Sequence, residues 1–260
     1  MMPRSAVSGR QRFRHARALL ENAAPLAAGA GVAYAVKRFY ASASADDLAP
    51  LLQPTAALVS FVSGYPFIEE RGSGYLSREL GVLIAPSCAG ANYLIVAFVL
   101  LAVCFLPRFD RAASKWAWLG ASAFIAYLAT LAVNALRILL TLAMKAQAGL
   151  RLGASFEQVH RIEGVIVYLG SLWLLYLCTE QVFAYGKSAL VLRTRHIAVP
   201  WLLYVGITLI VPLINGAAAD VSFSRHAVTV LAVSSLGAAG LAFAARLLRV
   251  RRTPPDFARL

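Results

Sequence analysis

The sequence predicts an all-α protein: a polytopic transmembrane helix bundle with about six full spans, one interfacial or re-entrant helix and a small outer hairpin. Three observations predict it. Of 260 residues, 60% are hydrophobic and only 14% are charged, whereas a soluble domain carries about 25% charged residues. Apolar runs recur along the chain near or above the ~20 residues that cross a bilayer. The 25 Lys and Arg residues, against 12 acidic ones, sort to the ends of those runs in the manner of loop charges that set topology. This composition excludes a soluble enzyme, a disordered chain and a disulfide scaffold. In a membrane chain the positive excess points to the bilayer as partner, and no nucleic-acid partner is expected.

The elements follow in order. Residues 1–17 carry Arg4, Arg10, Arg12, Arg14 and Arg17 and no acid. The apolar stretch behind them, 18–36, has the length of a span rather than of a signal-peptide core, and no clear cleavage site follows. It is read as span 1. Further spans are expected at 89–107, 116–142, 162–185, 197–215 and 227–245. The stretch 48–67 is broken by Pro50, Gln53, Pro54 and Gly64, and charge decides its role. If it does not cross and the N-terminus is cytoplasmic, the cytoplasmic side holds the five N-terminal arginines, Arg108, Arg111 and Lys115. It also holds Lys187, Arg193 and Arg195, and in the tail Arg246, Arg249, Arg251, Arg252 and Arg259. The outer side then holds half as many: Lys37, Arg38, Arg71, Arg78, Lys145, Arg151, Arg161 and Arg225. That bias obeys the positive-inside rule, so 48–67 is read as interfacial or re-entrant. Residues 65–84, with Gly72 and Gly74, read as the outer hairpin. No repeat and no soluble domain is visible, so 1–260 is one transmembrane domain with a basic cytoplasmic N-terminus at 1–17 and a basic tail at 246–260.

Arg137 is the basic residue left over from this sorting. An ionisable group inside a span is costly and is a functional hypothesis by default. Asn134 lies three residues before it, on the same helix face, and counting from the start of the span puts both near the outer boundary. Cys88, between Pro86 and Gly90, falls at the outer mouth of the span 89–107, where Pro86 marks a helix start and a helix N-terminus favours a thiolate. His160 opens the span 162–185 on the same side. Cysteine can serve as nucleophile, histidine as general base and acid, and arginine as oxyanion stabiliser. Taken singly, each also fits a blander role: packing for the cysteine, an interfacial position for the histidine, a snorkelling side chain for the arginine. Their shared depth is what raises the catalytic reading. Cys104 and Cys178 sit about 24 Å and 27 Å deeper at 1.5 Å per residue and read as packing residues. His226 is a reserve candidate; His15 and His196 fall on the cytoplasmic side, and Trp116, Trp118, Tyr185 and Trp201 read as interfacial anchors. There is no metal-ligand spacing, nucleotide loop, serine elbow or intramembrane carboxylate pair, so no metal and no cofactor is expected.

At these residues the sequence resembles the exosortase/archaeosortase family of membrane cysteine transpeptidases. Three motifs carry the resemblance in the family's order: Cys88-Ala89-Gly90, Asn134-Ala135-Leu136-Arg137-Ile138 and His160-Arg161-Ile162-Glu163-Gly164. It covers about 48–185, which becomes the expected catalytic core. One position departs from the pattern: Ala89 stands where the family often has Ser. The resemblance implies a sorting enzyme in the bacterial inner (plasma) membrane, multi-pass, with its active site on the extracytoplasmic side. Its substrates would be exported proteins ending in a short motif, a transmembrane helix and a basic tail. Cys88 would form a thioester, Arg137 would stabilise developing negative charge, His160 would shuttle the proton and Asn134 would support them. An amine or an envelope glycan component would be the acceptor. A polytopic transporter and a non-catalytic envelope polysaccharide assembly factor stay open as alternatives.

Overall fold

The computed structural model describes residues 4–147, 156–184, 193–214 and 221–250. The chain divides into two compact units, Met1–Asn134 and Ala135–Leu260.

The first unit opens with helix α1, Arg4–Ser42, whose side chains are described from Glu21 onward. α1 packs on α3, Ala91–Phe105. At Gly29 a Cβ would lie 3.8 Å from Phe98 of α3 and 3.2 Å from the Leu119 side chain. A turn follows in which Ser44 and Asp47 cap each other. The Ser44 backbone N–H and hydroxyl donate to the Asp47 carboxylate at 2.9 and 2.7 Å, and the Asp47 N–H donates back to the Ser44 hydroxyl at 3.2 Å. Helix α2, Ala49–Ser63, has 15 residues, about 22 Å at 1.5 Å per residue. That is short of the ~30 Å hydrocarbon core, in keeping with the expectation that this stretch does not cross. It buries Leu52, Thr55, Ala56 and Val59 on one face and exposes Leu58, Phe61 and Val62 elsewhere. Gly64 ends it in the left-handed conformation, φ 76.

The expected hairpin at 65–84 is a three-stranded antiparallel meander: β1 Ile68–Glu70, β2 Gly74–Ser77 and β3 Val82–Ile84, in the order β1-β2-β3. Tyr75 pairs with both Glu69 and Ile84. Gly74 holds φ 125, and a side chain there would run into the Ile84 carbonyl. A 3-10 turn, Pro86–Cys88, then leads through Gly90 into α3, which is buried almost all round. At the far end of α3, Trp118 donates its indole N–H to the Leu101 carbonyl at 3.1 Å and packs against the rings of Phe105 and Phe109. Helix α4, Ala112–Gln147, has 36 residues, about 54 Å at 1.5 Å per residue, well beyond a bilayer's hydrocarbon core.

In the second unit α5 (Phe156–Ala184), α6 (Thr194–Val205) and α8 (Val221–Val250) pack on one another in pairs. Indole N–H groups tie them: Trp173 to the Ile197 carbonyl at 3.0 Å, and Trp201 to the Ser234 hydroxyl at 3.1 Å. His196, expected on the cytoplasmic side, is buried at the start of α6. There it accepts the Arg193 N–H and packs against Tyr176.

The fold is helical and membrane-type as expected, but the span count differs. Among the described residues four helices are long and apolar enough to cross a membrane: Pro86–Arg108, Ala112–Lys145, Gln158–Ala184 and Phe223–Leu247. The expected spans at 18–36 and 197–215 are not among them. The first begins at 18–20, whose side chains lie outside the described residues. The other is broken: after α6 the backbone widens into a π-helix over Gly206–Ile210 before α7, Val211–Ile214, and the apolar helix Thr194–Ile210 reaches only 17 residues. Arg151, Lys187, Tyr185 and the tail beyond 250 lie outside the described residues, as do the side chains of the N-terminal arginines and His15.

Candidate functional site

The first unit holds Cys88 and Asn134, and the structure brings them together. Pro86 opens the 3-10 turn, and the Cys88 N–H closes it on the Ala85 carbonyl at 2.8 Å. Cys88 is therefore not in the first turn of α3, where a helix start was expected. Gly90, at φ 72, stands between turn and helix, and α3 begins at Ala91. The turn is held from two sides. The Asn134 side-chain amide donates to the Cys88 carbonyl, and the Tyr40 hydroxyl donates to the Pro86 carbonyl at 3.3 Å. Asn134 is fully buried, so its donor is committed to that carbonyl rather than to solvent. Gly90 explains the small residue two positions after the cysteine. A Cβ there would meet Thr130 at 3.1 Å and the Asn134 side chain at 3.2 Å, and its φ suits glycine alone. Ala89, the departure from the family pattern, is fully buried, a place where a hydroxyl would need a partner. The Cys88 side chain itself is half-buried.

The second unit brings Arg137 and His160 together. On α4, Arg137 follows Asn134 by three residues; on α5, His160 lies in the first turns. Arg137 Nη2 stands 2.8 Å from His160 Nε2, and Arg137 Nη1 donates to the Tyr168 hydroxyl at 3.0 Å. The guanidinium carbon also lies 5.3 Å from the centre of the Tyr168 ring, within cation–π range. A guanidinium only donates. Nε2 is therefore the acceptor, and the ring proton of a neutral His160 sits on Nδ1. Nδ1 faces the Thr141 hydroxyl at 3.0 Å and a Glu163 carboxylate oxygen at 3.3 Å. Gly164 accounts for the glycine four residues after the histidine. It is buried, and a Cβ there would lie 3.2 Å from Arg137 Nε.

Thr141, Glu163 and Tyr168 were not among the sequence candidates. Thr141 is one turn beyond Arg137 on α4, and Glu163 is three residues beyond His160 on α5. An acidic residue in an apolar helix, on the face of a candidate histidine, was the available signal for Glu163. The remaining candidates stand apart: Cys104 is half-buried in α3, Cys178 exposed on α5, and His226 half-buried on α8. Among the described residues no group of three or more His, Cys, Asp or Glu could hold a metal ion. Chemically, the first unit offers a thiol on a backbone turn clamped at two carbonyls. The second offers an imidazole whose acceptor nitrogen is held by a cation.

No curated protein and no solved structure matches the chain. The model of one family, described as Transmembrane exosortase, matches residues 13–177. That range contains Cys88, Asn134, Arg137, His160 and both motif glycines, and it takes in most of α1, ahead of where the motif resemblance begins. By this match over more than half its length, the chain belongs to the transmembrane exosortase family.

Proposed function

We propose that this chain is a membrane-embedded cysteine protease/transpeptidase that cleaves C-terminal sorting signals of exported proteins, at the outer face of the inner membrane. Such a signal comprises a short motif, a transmembrane helix and a basic tail. The observation that carries the reading is the contact of Arg137 Nη2 with His160 Nε2 at 2.8 Å. It keeps a proton-accepting nitrogen and a permanent cation in one place, at two of the family's three motifs. Support also comes from chain order. Cys88 opens the span Pro86–Arg108, Arg137 lies near the end of Ala112–Lys145, and His160 opens Gln158–Ala184. Three successive crossings would bring those ends to one membrane face.

The reaction proceeds in two halves. His160 Nε2 takes the Cys88 proton, and the thiolate sulfur attacks the scissile carbonyl carbon. Negative charge develops on the carbonyl oxygen, and Arg137 turns its donor from Nε2 to that oxygen. The intermediate collapses to a thioester as the C–N bond breaks, and the imidazolium protonates the leaving amine. An acceptor amine, an envelope glycan nucleophile or water then attacks the thioester carbon, giving its proton to His160. The sulfur leaves, and the thiol is restored.

The test uses Cys88→Ala, Arg137→Ala and His160→Ala in cells carrying a tagged protein with a tripartite tail. All three are expected to leave the tail uncut. Processing by the Cys88 variant would remove the reading, and solute uptake that survives Cys88→Ala and Arg137→Lys would favour a transporter.

A further inference from the structure

Glu163 is an acid in the apolar helix α5, and the mechanism above does not use it. It is buried, with 9% of its surface exposed. One carboxylate oxygen, Oε2, lies 3.3 Å from His160 Nδ1 and 3.2 Å from the Thr141 hydroxyl. The other, Oε1, is buried with no hydrogen-bond partner among the described residues. A half-satisfied buried carboxylate is costly, and a leucine of similar size would serve packing alone better. The Thr141 hydroxyl has one proton and three neighbours: His160 Nδ1, Glu163 Oε2 and the Arg137 carbonyl at 3.0 Å. With the ring proton on Nδ1, the oxygen of Thr141 accepts from the ring, and its own proton goes to the carboxylate or to the carbonyl one turn back.

We propose that Glu163, partly through Thr141, is a positioning residue: it holds the His160 ring proton on Nδ1 and balances the imidazolium that forms when Nε2 takes a proton. The proposal rests on the reading of His160 as the proton carrier. Both ring nitrogens are then assigned. Nε2 faces the cation and the reaction, and Nδ1 faces the carboxylate. A carboxylate fixes the tautomer and orientation of a catalytic imidazole in this way in serine and cysteine hydrolases. Neutral His160 makes its Nδ1 contact with Thr141; once charged, it gains the anion beside it. The gain is specific to the transition state and therefore falls on kcat.

A purely structural role, in which Glu163 only ties α5 to α4 through Thr141, predicts otherwise. Glu163→Gln retains size and an oxygen to accept from Thr141, so a tie alone survives it. The experiment compares wild type, Cys88→Ala, Glu163→Gln and Thr141→Val, purified in detergent, on one tagged tail peptide. General acid–base catalysis contributes roughly 10²–10⁴-fold, so Glu163→Gln is expected to lower kcat at least about tenfold with KM within twofold. Thr141→Val, which removes only the hydroxyl, is expected to lower kcat by less. An NMR signature independent of turnover accompanies this. In Cys88→Ala protein labelled with nitrogen-15 at histidine, the His160 Nδ1–H proton should resonate downfield of ordinary amides. It should be lost or moved upfield when Glu163→Gln is added. A kcat within twofold of wild type, a loss confined to KM, or a resonance that Glu163→Gln does not move would each overturn the assignment. Failure of the underlying reading looks different, because Cys88→Ala would then still cut the tail. If Glu163→Gln protein does not accumulate, Thr141→Val decides, and unchanged kcat there overturns the relay.

Discussion

Replacing Gly164 by alanine separates the two jobs of helix α5, which are to be a helix and to let the Arg137 guanidinium lie against it. In a helix interior alanine is favoured over glycine by about 1 kcal/mol, so on propensity alone Gly164→Ala strengthens α5. The new Cβ, however, would lie 3.2 Å from Arg137 Nε, 3.8 Å from Cζ and 3.9 Å from Nη2. The guanidinium must then retreat by a few tenths of an ångström. The same group holds His160 Nε2 at 2.8 Å and the Tyr168 hydroxyl at 3.0 Å, so both contacts move together. Hydrogen bonds to charged groups contribute about 1.5–3 kcal/mol. Losing about half of one in the transition state costs roughly tenfold in rate, at about 1.4 kcal/mol per decade. The assay pairs thermal unfolding in detergent with cleavage of a tagged tail. Unfolding temperature is expected to stay level or rise while cleavage falls roughly tenfold. Wild-type cleavage by Gly164→Ala, or a fall in stability that parallels the fall in activity, would refute the packing argument.

Other consequences are equally direct. Asn134→Ala removes the donor to the Cys88 carbonyl and opens a gap in a fully buried position. It should cost about 1–3 kcal/mol in denaturant unfolding and lower tail cleavage with it. Gly74→Ala should disrupt the β1-β2-β3 meander, since its φ of 125 and the Ile84 carbonyl both exclude a side chain; faster limited proteolysis within 65–85 would register it. Ser44 donors hold the Asp47 carboxylate below its ordinary range. The box is therefore complete at neutral pH and is lost as pH falls through the lowered value. Ser44→Ala should raise the pH at which the 43–48 turn becomes protease-sensitive. A membrane-impermeant maleimide applied from outside should label Cys88 and spare Cys104 and Cys178, and the reverse pattern would invert the proposed topology.

Much of the helical architecture was legible because hydropathy reports directly on lipid contact. The runs around 89–107, 116–142, 162–185 and 227–245 coincide with the four span-length helices among the described residues. Pro50, Pro54 and Gly64 together with charge sorting marked α2 as a piece apart, and Gly72 and Gly74 marked a hairpin where the structure has three strands. Local backbone events were harder to see. A π-helix at Gly206–Ile210 and a 3-10 turn at Cys88, set off from α3 by Gly90, follow no period in the sequence. At the site, helix periodicity put Asn134 and Arg137 on one face, and the motifs named Cys88 and His160. Thr141 stayed hidden because a threonine is unremarkable on its own helix; Glu163 carried a signal as an acid on the face of His160, but its role shows only when α4 and α5 place both against His160 Nδ1. The two motif glycines were visible as letters, but their reason, room for Asn134 beside Gly90 and for Arg137 beside Gly164, is tertiary.

The central claim is that Cys88 carries the substrate covalently. Purified protein incubated with a tagged tripartite-tail protein, quenched in acid and analysed by peptide mass spectrometry, tests it most directly. The account predicts a hydroxylamine-sensitive adduct on the Cys88 peptide, with the mass of the substrate segment upstream of the cleavage point, and no cleavage by Cys88→Ala. Cleavage of the tail by Cys88→Ala at the wild-type rate would contradict it.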